Sequence, residues 1–394
     1  MNVTLPAIKL RRGTGGSSYS LDLLARQLEN RGHDVTILTL RPSTNELFPD
    51  RSYSVLEFPK RFDSNNYYYR YRRTYQILEQ TADRTDLFHL FSPSLIPVGI
   101  NFRKEHSTPI IARLNSYPFC TNRALMDGDC HQSCTVWKKY RHDTRKVRHV
   151  RWPRYRYFTD YWEQADVIDH CFAVSPAVKE IYSDVGVPDD VISVVPNFYD
   201  AVFGSSIDVQ TNKQVDRLLY VGRLRANKGV DLLLRAVSLL ADDYHIRLSI
   251  VGDGREQDEL QKLAKKLGIS NIVTFHGYVP HEDLPEFYQN NDIFVHPGRW
   301  PEPLSRTTLE SMQYKCVPVV SDIGGTPWAI GDAGLTFSRN DVQELEKQLR
   351  RLMSDPNLYQ TKQSLCQDEL KRFAPKRVVD KIEGYYTSAV KSNQ

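Results

Sequence analysis

The sequence predicts an α/β protein made of two doubly wound parallel-sheet domains. Three observations carry that expectation. Short apolar, strand-like runs alternate with longer amphipathic segments along most of the chain. The alternation occurs in two series, separated by the polar stretch VVPNFYDAVFGSSIDVQTNKQVD with its Pro196 and Gly204. The length, 394 residues, exceeds one ordinary domain and suffices for two cores.

The first series opens with the strand-like TLPAIKL, followed by the glycine-rich RRGTGGSS, which reads as a turn. In SLDLLARQLEN, apolar residues at 21, 24, 25 and 28 share one helical face. RGHDVTILTL then ends in a second apolar run, which completes an opening strand–loop–helix–strand unit.

The second series is more regular. Its strand candidates are RLLYVGRL, IRLSIVGDG, IVTFHGYV, DIFVHP and CVPVVSD. The helical candidates between them are GVDLLLRAVSLL, REQDELQKLAKKLG, HEDLPEFYQNN and SRTTLESMQYK. Strands spaced by helices in this way imply a parallel sheet with ligands at the carboxyl ends of its strands. The final FAPKRVVDKIEGYYTSAV has a proline in its first turn and then a helical pattern. The expected domains are therefore 1–200 and 201–374, two Rossmann-like units facing across a cleft. Residues 375–394 are expected to be a helix packing back toward the first.

Composition narrows the class. Hydrophobic residues make up 40% and charged residues 25%, ordinary globular values, and the formal net charge is only +4. MNVTLPAIKL lacks the basic start and apolar run of a secretory signal, and no run of 18 apolar residues suggests a membrane span. Six cysteines do not make a disulfide scaffold at this length, so a reducing, cytoplasmic setting is expected.

Two local features stand out. Between 138 and 158, KKYRHDTRKVRHVRWPRYRYF carries nine Lys/Arg against the single acid Asp143, interleaved with aromatic rings. That mixture suits an anionic membrane surface; a nucleic acid or a solvated helix face are the competing readings. Cys120, Cys130 and Cys134, with His131 beside them, fall within 15 residues. They are candidates for a structural zinc site, although the spacing is not a CxxC pair and unlinked thiols explain it as well. Cys171, Cys316 and Cys366 read as buried apolar positions.

The chemistry concentrates in the second series. In YVGRLRANKGVDLLLRA, Arg223 leaves the carboxyl end of a strand and Lys228 precedes the next helix. A guanidinium that grips two oxygens and an ammonium acting as a point charge suit a diphosphate, and the Walker pattern is absent here. PEPLSRTTLES follows another strand of the same sheet. Ser305 is the expected N-cap, which would leave the amides of Arg306 to Thr308 to an anion. Glu302 would lie before that helix and Glu310 within it, each able to accept hydroxyl hydrogen bonds. An acid/base carboxylate pair or a metal site fits less well, because arginine and lysine already supply positive charge.

These motifs resemble those of the family 4 retaining glycosyltransferases of the GT-B fold. The resemblance is carried by GGSSYSLDLLARQLENRGHDVTILT, FAVSPAVKE, VVPN, YVGRLRANKG, VGDG, HGYV and PEPLSRTTLESMQYKCVPVVSDIGG followed by GDAGL. It is densest over 217–337. It implies that Arg223 and Lys228 hold the donor diphosphate, Glu310 the ribose, and that Glu302 lies by the donor sugar. It further implies that Gly15 and Gly16 bring amides to phosphate or acceptor and that Gly324 and Gly325 approach the donor. Tyr278 and Val279 would border the base, and His89, in DLFHLFSPS, would be a catalytic candidate. The chain departs from the family pattern at Phe91, at Leu304, Ser305 and Arg306 after Glu-Pro, and at Trp328, where a glutamate is usual.

The resemblance implies a metal-independent, retaining transfer of a sugar from a nucleotide-diphosphate donor of UDP or GDP type to a hydroxyl, with no cofactor required. A lipid-linked glycan or polysaccharide precursor at the inner face of the membrane would suit the basic segment. The alternatives are a nucleotide-sugar 2-epimerase of the same architecture and a basic scaffold that binds membrane or nucleic acid.

Overall fold

The structure, a computed structural model, describes residues 1–10, 16–40, 48, 51–57, 67–117, 161–201, 203 and 214–393. Gly15, the cysteines at 120, 130 and 134, and the basic segment 138–158 lie outside the described residues. The chain divides into two compact units, Met1–Phe198 with Pro375–Gln394, and Tyr199–Ala374.

The first unit contains β1 (Asn2–Ala7), β2 (Asp34–Thr39), β3 (Ser54–Glu57), β4 (Leu87–Leu90), β5 (Ile110–Leu114), β6 (His170–Ala173) and β7 (Ile192–Val194). They form one parallel sheet in the order β3-β2-β1-β4-β5-β6-β7. The crossover from β1 to β2 is the helix Gly16–Glu29, which buries Leu21, Leu24, Ala25 and Leu28, the four positions of the sequence pattern. Gly16 differs from the sequence expectation: it opens this helix rather than lying in the turn before it.

The helix Pro375–Lys391 completes this unit. Val378, Val379, Ile382 and Tyr386 join Leu21, Leu24 and Leu28 in one apolar cluster. Arg31 reinforces the junction through Asp380 at 2.6 Å and Glu383 at 2.5 Å.

The second unit contains β8 (Arg217–Val221), β9 (Arg247–Val251), β10 (Val273–Gly277), β11 (Ile293–His296), β12 (Val317–Ser321) and β13 (Leu335–Phe337). The sheet is again parallel, in the order β10-β9-β8-β11-β12-β13. The three-residue β13 is absent from the sequence expectation because LTF is too short to show a period.

Strand order reverses between β8 and β11. Loops leaving adjacent strands at such a switch point diverge to opposite faces and open a crevice at the carboxyl edge. The loop after β8 carries Arg223 and Lys228, and the loop after β11 carries Glu302 and Ser305. Topology thus brings together residues more than 70 positions apart.

Candidate functional site

The loop after β8 is shaped by glycines. Gly229 has φ +69°, and a Cβ there would lie 1.9 Å from the Pro297 carbonyl oxygen, so only glycine lets the Lys228 loop press onto the loop after β11. Lys228 closes a short 3-10 turn, Ala226–Lys228, and Gly229 caps the helix Val230–Leu240.

Lys228 Nζ donates to Glu302 Oε2 at 2.5 Å, and each side chain keeps about a quarter of its surface exposed. Burial pushes the Glu302 carboxyl up, but Lys228, and to a lesser extent His296, outweigh it and hold the group below its ordinary range. Behind the pair, His296 is pushed down to about 4 by burial and by Lys228, and is neutral at pH 7. Its buried Nδ1 has no hydrogen-bond partner among the described residues.

Glu302 is also fixed through its backbone. The Gly325 amide donates to its carbonyl at 2.8 Å. Gly324, at φ +70°, would place a Cβ 2.6 Å from that same oxygen. Arg223 is exposed at the exit of β8, and its carbonyl accepts from the buried Tyr220 hydroxyl at 3.0 Å. Its guanidinium makes no ion pair among the described residues, unlike Lys228.

The second carboxylate is differently placed. Ser305 caps the helix Arg306–Gln313, its Oγ accepting from the Thr308 amide at 3.3 Å and the Thr308 hydroxyl at 2.8 Å. This alters the sequence expectation, because the cap itself takes the Thr308 amide that had been assigned to an anion. Leu304 and Ser305 are buried, and Arg306 is largely so.

Glu310, one turn on, is 2% exposed. His281 Nε2 lies 2.9 Å from its Oε1, Tyr288 donates to its Oε2 at 3.0 Å, and Arg306 approaches within 3.8 Å. Burial raises its carboxyl, yet His281, then Arg306 and Tyr288, bring it below the ordinary range. His281 stacks on Phe203, ring centroids 4.4 Å apart. Glu310 is thus a buried ionised carboxylate inside a network of His281, Tyr288 and Arg306. Sequence reading missed His281 and Tyr288; their presence in HEDLPEFYQNN after HGYV was the available signal. Tyr278 is 59% exposed beyond β10, beside the partly buried Val279.

His89 does not stand where a catalytic group would. It is fully buried on β4, its Nδ1 lies 2.6 Å from the Tyr386 hydroxyl, and its ring meets Phe172 and Tyr386 edge-on. Burial, helped by the neighbouring Arg113, pushes its pKa far down. The physical reason is the apolar β4 strand and the returning C-terminal helix, which enclose it. Arg113, also unremarked in the sequence, is buried on β5 and forks onto Asn197 Oδ1 at 2.9 Å and the Pro196 carbonyl at 2.8 Å. It ties the sheet to the VVPN segment.

Cys171, Cys316 and Cys366 are buried, and burial pushes Cys171 and Cys366 up to about 12, so they are unreactive thiols. Among the described residues no cluster of three His, Cys, Asp or Glu side chains could hold a metal. No helix among them is long and apolar enough to cross a membrane.

Two Rossmann-like units of this kind define the GT-B class, and solved structures of that class share the fold. A glycosyltransferase from Rickettsia africae superposes with a TM-score of 0.73 at 16% identity, covering 99% of both chains. Anabaena HepE, solved in complex with UDP and glucose, gives 0.72 at 18%, covering 98% of this chain and 100% of that one. Residues 14–203 match the sequence model of Glycosyltransferase Family 4, and residues 206–364 that of Glycosyl transferases group 1. The chain belongs to the family 4-like glycosyltransferases of the GT-B fold. Among curated relatives, mannosylfructose-phosphate synthase of Agrobacterium fabrum is 28% identical over 212 residues, covering 44% of this chain and 46% of the relative. An uncharacterized glycosyltransferase of Methanocaldococcus jannaschii is 31% identical over 166 residues, 39% and 42% respectively. The chain thus spans less than half the length of either curated relative in these alignments.

Proposed function

We propose that the protein moves a sugar from a nucleotide-diphosphate donor, of UDP or GDP type, to a hydroxyl acceptor, with retention of anomeric configuration and without a metal ion. One observation supports the reading above the others: Lys228, in the same loop as exposed Arg223, meets Glu302 at the carboxyl edge of the second sheet, at the strand-order reversal. As the glycosidic bond breaks, negative charge grows on the leaving diphosphate. Arg223 and Lys228 are the groups that would stabilise it, the work a divalent cation performs elsewhere. Glu302, ionised, pairs with Lys228 and would lie near the donor sugar. Glu310 would accept a ribose hydroxyl hydrogen bond at the oxygen it shares with His281.

For the acceptor, the basic and aromatic residues 138–158 favour an anionic membrane surface and a lipid-linked glycan or polysaccharide precursor. The test is a panel of nucleoside diphosphate sugars screened by thermal shift, followed by transfer assays with membrane extract and with Arg223→Ala and Lys228→Ala. Both variants should keep their melting temperature and lose most turnover. Wild-type turnover in either would refute the diphosphate role.

A further inference from the structure

The loop that presents Lys228 has no regular strand or long helix of its own, yet it must keep that ammonium in register while a ligand competes for it. What holds the loop is Arg299, a residue to which nothing in the sequence reading gave a role.

Arg299 leaves β11 three positions before Glu302. Its guanidinium grips Asp231 with both ends, NH1 to Oδ1 at 2.6 Å and NH2 to Oδ2 at 2.7 Å. NH1 also donates to the Ala226 carbonyl at 2.9 Å, and Nε donates to Asn340 Oδ1 at 2.9 Å. The backbone adds to this. The Asn227 carbonyl accepts from the amides of both Arg299, at 3.0 Å, and Trp300, at 3.3 Å. The fork therefore brackets Lys228 on both sides, at Ala226 before it and Asp231 after it. Asn340, itself held at φ +66°, anchors the fork from a third segment.

We propose that Arg299 is a positioning residue for sugar transfer: it clamps the turn carrying Lys228 to the loop carrying Glu302, so that Lys228 stays aimed when the donor diphosphate draws it away from Glu302. The inference rests on the reading of Lys228 as a diphosphate contact. The two loops are joined by the Lys228–Glu302 pair, by the backbone hydrogen bonds at Asn227 and by the Arg299 side-chain clamp. A diphosphate competes for the first of these; the backbone bonds and the clamp persist, and of the two only the clamp is made by a side chain that substitution can remove. Four of the five N–H groups of Arg299 donate within the protein, which fits it to holding the loops rather than to binding phosphate. Lysine cannot substitute, since a single ammonium lacks the planar fork that reaches Asp231, Ala226 and Asn340 together.

The experiment is a kinetic double-mutant cycle on the full chain, with Arg299→Ala, Arg299→Lys and Asp231→Asn each alone and each combined with Lys228→Ala. Donor turnover is read as kcat and KM separately, and folding as the thermal midpoint. Arg299→Ala should lower kcat by about tenfold to hundredfold, the cost expected of a misplacement near 1 Å, with KM for the donor changing less. Arg299→Lys should recover little. In the Lys228→Ala background the further loss from Arg299→Ala should shrink to about threefold or less, because the group it positions is gone. Asp231→Asn, which keeps the shape and removes the charge, gives the same readout if Arg299→Ala fails to fold. A kcat within twofold of wild type in Arg299→Ala, or in Asp231→Asn where that stands in, overturns the inference. So does an undiminished penalty in the Lys228→Ala background, which would mark a merely structural role. If Lys228→Ala alone leaves turnover intact, the underlying reading of the site falls first; if Lys228→Ala is impaired and Arg299→Ala is not, only the clamp falls.

Discussion

Replacing Gly229 by alanine puts the site's construction to a quantitative test. Gly229 has φ +69° and Gly268 has φ +73°, so an alanine at either pays the same left-handed backbone penalty, about 1–2 kcal/mol. Their surroundings differ. A Cβ at 268 meets nothing within 4 Å, whereas one at 229 lies 1.9 Å from the Pro297 oxygen and 2.9 Å from its carbon. Ordinary contact begins near 3.4 Å, so the two loops must part by about 1.5 Å, and both clashing atoms are backbone. Forced separation of this kind adds roughly 1–3 kcal/mol. At about 2–4 °C per kcal/mol for a unit of this size, Gly268→Ala should lower the melting temperature by roughly 2–8 °C and Gly229→Ala by roughly 4–20 °C. The functional contrast is larger. Only the Gly229 variant moves the turn that bears Lys228, and a shift near 1 Å costs on the order of a hundredfold in rate. Differential scanning fluorimetry and a coupled nucleoside diphosphate release assay on the two variants decide the matter. Equal melting shifts would show that the close approach is not strained by a side chain. Wild-type turnover in a folded Gly229→Ala protein would show that the loop's position is immaterial.

Other consequences are open to measurement. Glu310→Ala should weaken nucleotide affinity more than it lowers turnover at saturation; calorimetry showing unchanged affinity would remove the ribose role. Stability should fall in acid in two stages. His89 and His296 are held neutral chiefly by burial, so below the unfolded value of about 6.5 the unfolded chain binds protons that the folded one refuses. Stability is then lost as pH falls toward about 4, with a slope of up to about 1.4 kcal/mol per pH unit for each histidine. The depressed carboxyls of Glu302 and Glu310 act lower, their contribution present above about 4.3 and lost below it. Urea midpoints that stay flat between pH 6.5 and 4.5 would contradict the histidine stage. Finally, sedimentation with vesicles should show binding to anionic but not neutral lipid, weakening steeply with salt; equal binding to both, or preference for nucleic acid, would displace the membrane reading of residues 138–158.

Much of this site was legible in one dimension, and the limits are instructive. Arg223, Lys228, Glu302 and Ser305 announce themselves because each follows a strand-like run, and parallel sheets place such residues on one edge. Glu310 was visible as the E-x7-E partner, but not its burial, nor the His281 and Tyr288 that hold it. His89 shows the converse. A histidine in a strand looks available until the chain's last helix, nearly 300 positions later, lays Tyr386 against it. Arg299 gave no sign at all, since its meaning lies in Asp231, Ala226 and Asn340.

The sequence by itself determined the elements. Periodicity, caps and glycine turns are local, so the apolar positions of the helix Gly16–Glu29 and the Ser305 cap could be read from neighbours alone. Only the tertiary structure decided partnership. Strand order set β8 beside β11 and thereby joined Lys228 to Glu302, and the return of Pro375–Lys391 made His89 a core residue. Such pairings depend on which distant surfaces bury each other, a choice made by the whole chain's packing and written in no single stretch of it.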